Sequence, residues 1–252
     1  MLNVNRDCNI YIYDGSFEGF LTVVFDAWKV KVPIIDIRAR ENSAPGFFDN
    51  DIYVNVDREK ASRVLHWMEE KLPHGTAERI YDYFSSEDEG CERRIYMYLQ
   101  ACHRLGRWVD SFLTDDAVLD FLKAEKYFDN EFHRMCGFTR FSVLEGGVMF
   151  AEIITDFNQL IRLARFFLDR MPGHRFMIYD SKRNKAVICD GARWGTIEDI
   201  KAENIGNKKA EDEFEHLWKG YLQALTIEQR INYKLQKQLV PLKYRKNITE
   251  FQ

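Results

Sequence analysis

Between Phe138 and Cys189 the hydrophobic spacing passes from alternation to a three-four repeat and back, which restricts the fold more than any other stretch of the chain. Phe138 to Leu144 and Val148 to Ile154 read as strands flanking Gly146-Gly147. A Gly-Gly link suits a primed hairpin turn, because both positions need positive φ. Asp156 is expected to cap a helix in which Phe157, Leu160, Ile161, Ala164, Phe167, Leu168 and Met171 share a face, with Pro172-Gly173 as its stop. Arg175 to Tyr179 and Ala186 to Cys189 then form a second hairpin around the polar link Asp180 to Lys185. The β-β-α-β-β order predicts an α+β fold, an antiparallel sheet packed with helices.

Upstream, Asn9 to Tyr13 reads as a strand, broken by Asp14-Gly15-Ser16. Phe17, Phe20, Leu21, Val24 and Trp28 then put five large apolar groups on one helix face. From Pro33 to Asn50 the pattern dissolves into a loop, and Ile52 to Val56 suggests a second strand. Two short helices are expected between Asp57 and Phe84, broken at Pro73-His74-Gly75, and longer ones over 90–106 and 114–135. The acidic run from Ser85 to Glu89 marks the expected seam, with a small N-terminal α/β lobe at 1–85 and an α+β domain at 86–252. Further helices are expected near 210–225 and 227–239.

Charge is segregated rather than extreme. The chain carries 36 basic and 40 acidic residues, yet 230–249 contains six bases and no acid. If 227–239 is one helix, Arg230, Lys234 and Lys237 stack beside an apolar stripe of Ile227, Ile231, Leu235 and Leu239, so that one side anchors and the other is cationic. Tyr233 and Tyr244 add aromatic faces, and Lys243, Arg245 and Lys246 add charge. Aromatics interleaved with Arg and Lys stack bases and hold phosphates, so these eight residues are the candidate nucleic-acid contacts. A solvated helix face whose bases pair with the acidic remainder explains the same pattern.

No phosphate loop, dinucleotide fingerprint or hydrolase elbow is present, which removes those classes' minimal geometry. Two carboxylates are candidate catalysts. Asp14 lies with Ser16 in a strand-to-helix turn where backbone N–H groups can hold an anion, although capping alone accounts for both residues. Asp180, in Asp180-Ser181-Lys182 after a strand, has the acid-x-Lys spacing of metal-dependent nucleases, and a turn role explains it equally. His133 and Cys136, with Cys102-His103, lack the paired spacing of a zinc site, so no metal or cofactor is expected. Five cysteines without a C-x-x-C pair, no secretory start and no long apolar run point to a cytoplasmic protein with reduced thiols.

The segment Tyr13-Asp14-Gly15-Ser16-Phe17-Glu18-Gly19-Phe20 and the stretch from Ile227 to Asn232 through Pro241 to Lys246 and on to Glu250-Phe251 together resemble a bacterial family linked to DNA metabolism and DNA repair. Arg140-Phe141, Ile178-Tyr179-Asp180 and the Arg230/Asn232 pair fit the same pattern. The resemblance implies a C-terminal domain of unknown function that also occurs fused to uracil-DNA glycosylase-like domains, and a radical SAM protein as partner. This chain lacks the C-x-x-x-C-x-x-C cluster of a radical SAM enzyme and is therefore expected to be the companion. The resemblance supplies no catalytic residues. The leading expectation is a DNA-binding accessory protein of DNA repair. A DNA-acting hydrolase or glycosylase-like enzyme using Asp14 or Asp180, and a docking module that never touches DNA, are the alternatives.

Overall fold

A computed structural model describes residues 9–29, 34–40, 50–144, 146–200 and 213–251. The chain is a mixed α/β protein that separates into two compact units, Met1–Phe128 and Asp129–Gln252.

In the first unit, β1 (Asn9–Tyr13) leads into α1 (Phe17–Lys29), followed by β2 (Ile34–Ala39), β3 (Asn50–Tyr53), α2 (Arg58–Lys71), α3 (Thr76–Phe84) and α4 (Cys91–Leu105). The three strands form a parallel sheet in the order β2-β1-β3, with Tyr11 aligned to Ile37 on one side and Ile52 on the other. All five residues of β1 are buried, which is why it reads as an unbroken apolar run. The expected loop between Pro33 and Asn50 in fact contains β2. There Ile37 is buried while Asp36 and Arg38 form a 2.7 Å ion pair, the alternation of an edge strand. The second strand ends earlier than expected, at Tyr53, although the Val54 amide still donates to Ile12 O at 2.8 Å. Asp57 caps α2 by accepting from the amides of Glu59 and Lys60 at 3.0 and 3.2 Å.

Helix α5 (Asp116–Phe138) starts from the Asp115 cap and runs through the division between the units, whereas the expected seam falls between α3 and α4. The second unit continues with β4 (Ser142–Val143), β5 (Met149–Ile153), α6 (Leu160–Arg170), β6 (Phe176–Asp180), β7 (Lys185–Cys189) and β8 (Trp194–Ile197). It closes with α7 (Glu213–Leu225), α8 (Tyr233–Leu239) and α9 (Leu242–Arg245). The Gly146-Gly147 hairpin forms as expected, with φ of +99° and +77°. The sheet order is β4-β5-β6-β7-β8, and it is mixed rather than antiparallel, because β5 and β6 run parallel. The cause is α6, whose crossover carries the chain back along the sheet before β6 begins. Pairing is antiparallel at β4/β5, β6/β7 and β7/β8.

Leu160, Leu163, Ala164 and Phe167 of α6 share a core with Ile153, Phe176, Ile178 and Val187 of the sheet, and Tyr244 and Ile248 complete it. Leu144, Phe150, Tyr179 and Ala186 form a smaller cluster. No described helix is long and apolar enough to cross a membrane. Among the described cysteines, Cys91, Cys102, Cys136 and Cys189 are all free thiols.

Candidate functional site

The acid-free C-terminal stretch divides into an outward arm and an inward clasp, both within the second unit. The expected helix over 227–239 does not form as one piece. Residues Glu228–Arg230 make a 3-10 turn, Ile231 is extended, and Asn232 starts α8 by accepting from the Leu235 amide at 3.0 Å. A side-chain oxygen that caps a new helix competes with continuation of the old one. As a result the apolar stripe anchors nothing: Ile227, Ile231, Leu235 and Leu239 are all exposed, the last to 64%. Arg230, Tyr233, Lys234 and Lys237 are exposed as well. At about 100° per residue, α8 gathers Tyr233, Lys237 and Lys234 on one side and sets Leu235 and Leu239 on the other.

Of the remaining candidates, Tyr244 turns inward, Lys243 and Arg245 are engaged by the unit, and Lys246 faces solvent. Tyr244 is 4% exposed, and its hydroxyl donates to Oε1 of Glu131 on α5 at 2.8 Å, so its ring is a core residue and not a stacking surface. Glu131, itself buried, also accepts from the backbone amides of Asp156 and Phe157, both at 2.9 Å. Lys243 bridges to the Asp156 carboxylate, lies 3.7 Å from Glu131 Oε1, and places its ammonium 4.6 Å from the centre of the Tyr244 ring. Burial is the largest single influence on Lys243 and works against its charge, but the hydrogen bonds and charges of Asp156 and Tyr244 together outweigh it and hold the pKa above its ordinary value. Burial pushes the Tyr244 phenol up. Arg245 donates from Nε to Val240 O at 3.0 Å and stacks its guanidinium 4.3 Å from the Phe251 ring, while Lys246 is exposed.

Glu250 completes the clasp. It accepts from Arg140 at 2.7 and 3.3 Å, a forked contact that ties the chain end to the turn after α5. Burial alone would raise its pKa, but the Arg140 hydrogen bonds prevail, helped by the Trp218 indole, and hold it below the usual carboxylate value.

Asp180 belongs to the same polar network. It is fully buried at the end of β6 and accepts from Arg183 Nη1 at 2.7 Å, Thr155 Oγ1 at 3.2 Å and the Lys182 amide at 3.0 Å. Arg183 reaches on to the carbonyl oxygen of Asp156 at 2.5 Å, linking Asp180 to the loop that Lys243 and Glu131 hold. Asp156 therefore does not cap α6, as its position suggested. Gln159 occupies the cap position, and Asn158 Oδ1 accepts from the Leu160 amide at 3.1 Å. Asp180, Lys243 and Tyr244 thus share one network at the carboxyl ends of the parallel strands β5 and β6, but as mutually satisfied groups.

Asp14 stands apart, in the first unit. Its Oδ1 accepts from the Ser16 amide at 3.1 Å and the Ser16 hydroxyl at 2.7 Å, and Ser16 Oγ accepts from the Gly19 amide at 3.0 Å. These bonds occupy the Ser16 and Gly19 amides, and capping accounts for both Asp14 and Ser16. Of the histidines weighed for a metal, His103 stacks on Trp67 at 5.8 Å. Among the described residues no three His, Cys, Asp or Glu side chains form a metal-holding group.

Glu131 and Arg183 were missed from sequence, Asp156 was read as a helix cap, and Arg140 entered only through the family resemblance. Glu131 had left a signal: it sits three and four positions from Phe128 and Met135, both buried, so the apolar stripe of α5 contains a carboxylate. Such a group needs several donors to be tolerated there.

The model of a family described as a domain of unknown function, DUF4130, matches residues 89–250. No curated protein and no solved structure matches the chain. The matched segment contains the whole arm, the whole clasp and the sheet between them, and it spans more than half of the chain, which therefore belongs to the DUF4130 family.

Proposed function

We propose that this protein handles DNA through the arm of its second unit, as an accessory protein of DNA metabolism and repair. The observation that carries the reading is the joint exposure of Arg230, Tyr233, Lys234 and Lys237 in a stretch with no carboxylate between 230 and 249. Three exposed cations against one exposed acid, Glu228, among residues 226–242 favour release of the counterions condensed around phosphates. The radical SAM partner implied by the resemblance is part of the same proposal, since the arm offers binding chemistry and no reacting group.

The clasp residues refine the expected surface. Lys243 and Arg245 are engaged within the unit and Tyr244 is buried, so charge reversal at Arg230, Lys234 and Lys237 is the informative variant. Binding of a labelled oligonucleotide should weaken steeply with salt, with a log–log slope of about −2 to −3 for three phosphate contacts. The triple reversal should remove that dependence along with most of the affinity. Binding that is unchanged in the triple variant would move the DNA contact away from the arm. A hydrophobic docking module would instead bind a protein partner with little salt dependence, and its exposed leucines on the arm would then carry the interaction.

A further inference from the structure

Resting on that reading, we infer that the arm, together with helix α7 that precedes it, selects single-stranded DNA over duplex by stacking unpaired bases on their exposed rings. Tyr233 is 68% exposed and Tyr221 55%, and the rings of Trp218 and Tyr221 lie 5.7 Å apart at an interplanar angle of 24°. Helix α7, which carries Trp218 and Tyr221, packs against the turn Thr249–Phe251, whose Glu250 the Arg140 fork holds in place. The rings therefore sit on a segment tied to the folded unit.

The balance of apolar to charged surface decides which form of DNA fits. Leu225, Ile227, Leu235 and Leu239 are exposed along the same stretch, whereas Arg230, Lys234 and Lys237 are the exposed cations of residues 226–242. A duplex hides its base faces and offers phosphates and groove edges, to which an apolar surface contributes nothing. A single strand offers both a phosphate line for the cations and base faces for the rings and aliphatic groups. On α8, Tyr233 and Lys237 stand one turn apart on the same side, so one nucleotide can place its base on the ring while its phosphate meets the ammonium.

The test compares binding of the full chain to a thymidine oligonucleotide of about 20 residues, a duplex of the same length and a uridine RNA of the same length. The single strand should bind at least roughly tenfold more tightly than the duplex. Tyr233→Ala should weaken single-strand binding by about tenfold and leave duplex binding unchanged, while Tyr233→Phe, which keeps the ring face, should restore it. The ring is exposed, so neither substitution threatens folding, and an unchanged thermal midpoint verifies this. Equal or tighter duplex binding that Arg230, Lys234 and Lys237 still control would overturn single-strand selection and leave the DNA reading standing. RNA bound as tightly as DNA would overturn the choice of DNA. No binding to any of the three would overturn both the selectivity and the reading beneath it.

Discussion

The Tyr244 hydroxyl donates to Glu131 across 113 residues of sequence, at 2.8 Å and out of contact with solvent. With the amides of Asp156 and Phe157 it supplies the donors that let α5 keep a carboxylate in the core. The part of the chain with the most distinctive sequence is therefore a fastening, in which α9 pins the loop after β5.

Removing one donor should cost less than removing the acceptor. Tyr244→Phe keeps the ring and should lower stability by about 1–2 kcal/mol. Glu131→Leu strands two amides and the phenol, leaving Lys243 its Asp156 contact, and should cost about 3–5 kcal/mol. Urea midpoints of the two variants check the order. A Tyr244→Phe variant as stable as the parent but defective in DNA binding would return Tyr244 to the interface.

Asp180 should behave as a structural acid. Its side chain is inaccessible and Arg183 is 10% exposed, so Asp180→Asn removes a carboxylate 2.7 Å from a nearly buried guanidinium. A loss of about 3–5 kcal/mol is expected, visible in the thermal midpoint without any substrate present. Replacing both members, as Asp180→Asn with Arg183→Met, should recover part of the loss, because two apolar-compatible groups cost less than a nearly buried guanidinium that has lost this carboxylate. An Asp180→Asn protein of full stability that had lost a hydrolytic activity on DNA would restore the catalytic assignment.

The Arg140–Glu250 fork makes the chain end sensitive to acid. The Glu250 carboxyl is held below its ordinary value of 4.5, so the folded state favours its charged form. Stability from this pair is complete above the unfolded-state pKa and is lost as pH falls through the lowered folded-state value. Glu250→Gln should lower the thermal midpoint at neutral pH, by an amount corresponding to about 1–2 kcal/mol, and should match the parent at the acid end. Since Trp218 also bonds Glu250, its fluorescence should shift over the same acid range in the parent and not in the variant. A parallel loss of midpoint at every pH would remove the carboxylate from the account.

Local signals in the sequence carried the elements whose neighbours are local. The Gly146-Gly147 hairpin, the β6/β7 hairpin and helices α1 to α5 follow from turn chemistry and periodicity, which act over a few residues. Parallel pairing of β5 with β6 is a relation between strands separated by α6, and no spacing within either strand encodes it. Strand β2 was hidden because Asp36 and Arg38, which pair with one another at the sheet edge, interrupt its short run of isoleucines with charge. The same limit governs the site. Charge located Lys234 and Lys243 equally well, but that Lys243 rather than Lys234 meets Asp156 depends on a partner 87 positions away. Helical spacing of Ile227, Ile231, Leu235 and Leu239 suggested an anchor, and one Asn232 cap was enough to undo it.

The turn between β1 and α1 provides a last prediction, because a close approach there is measurable. A Cβ on Gly19 would stand 2.1 Å from Oδ1 of Asp14, 3.0 Å from the Tyr13 ring and 3.1 Å from Ser16 Oγ. Asp14 cannot swing aside freely while it accepts from both the amide and the hydroxyl of Ser16. Gly19→Ala should therefore break this cap and destabilise by about 1–3 kcal/mol, although alanine is the better helix former. Asp14→Ala alone should cost about 1 kcal/mol. In the double variant the methyl no longer meets the carboxylate, so the combined cost should fall below the sum of the two by about 0.5–1 kcal/mol. Denaturation of the four proteins of the cycle measures that difference. Strict additivity would mean that the two residues do not meet, and that the glycine is required by the Tyr13 ring instead.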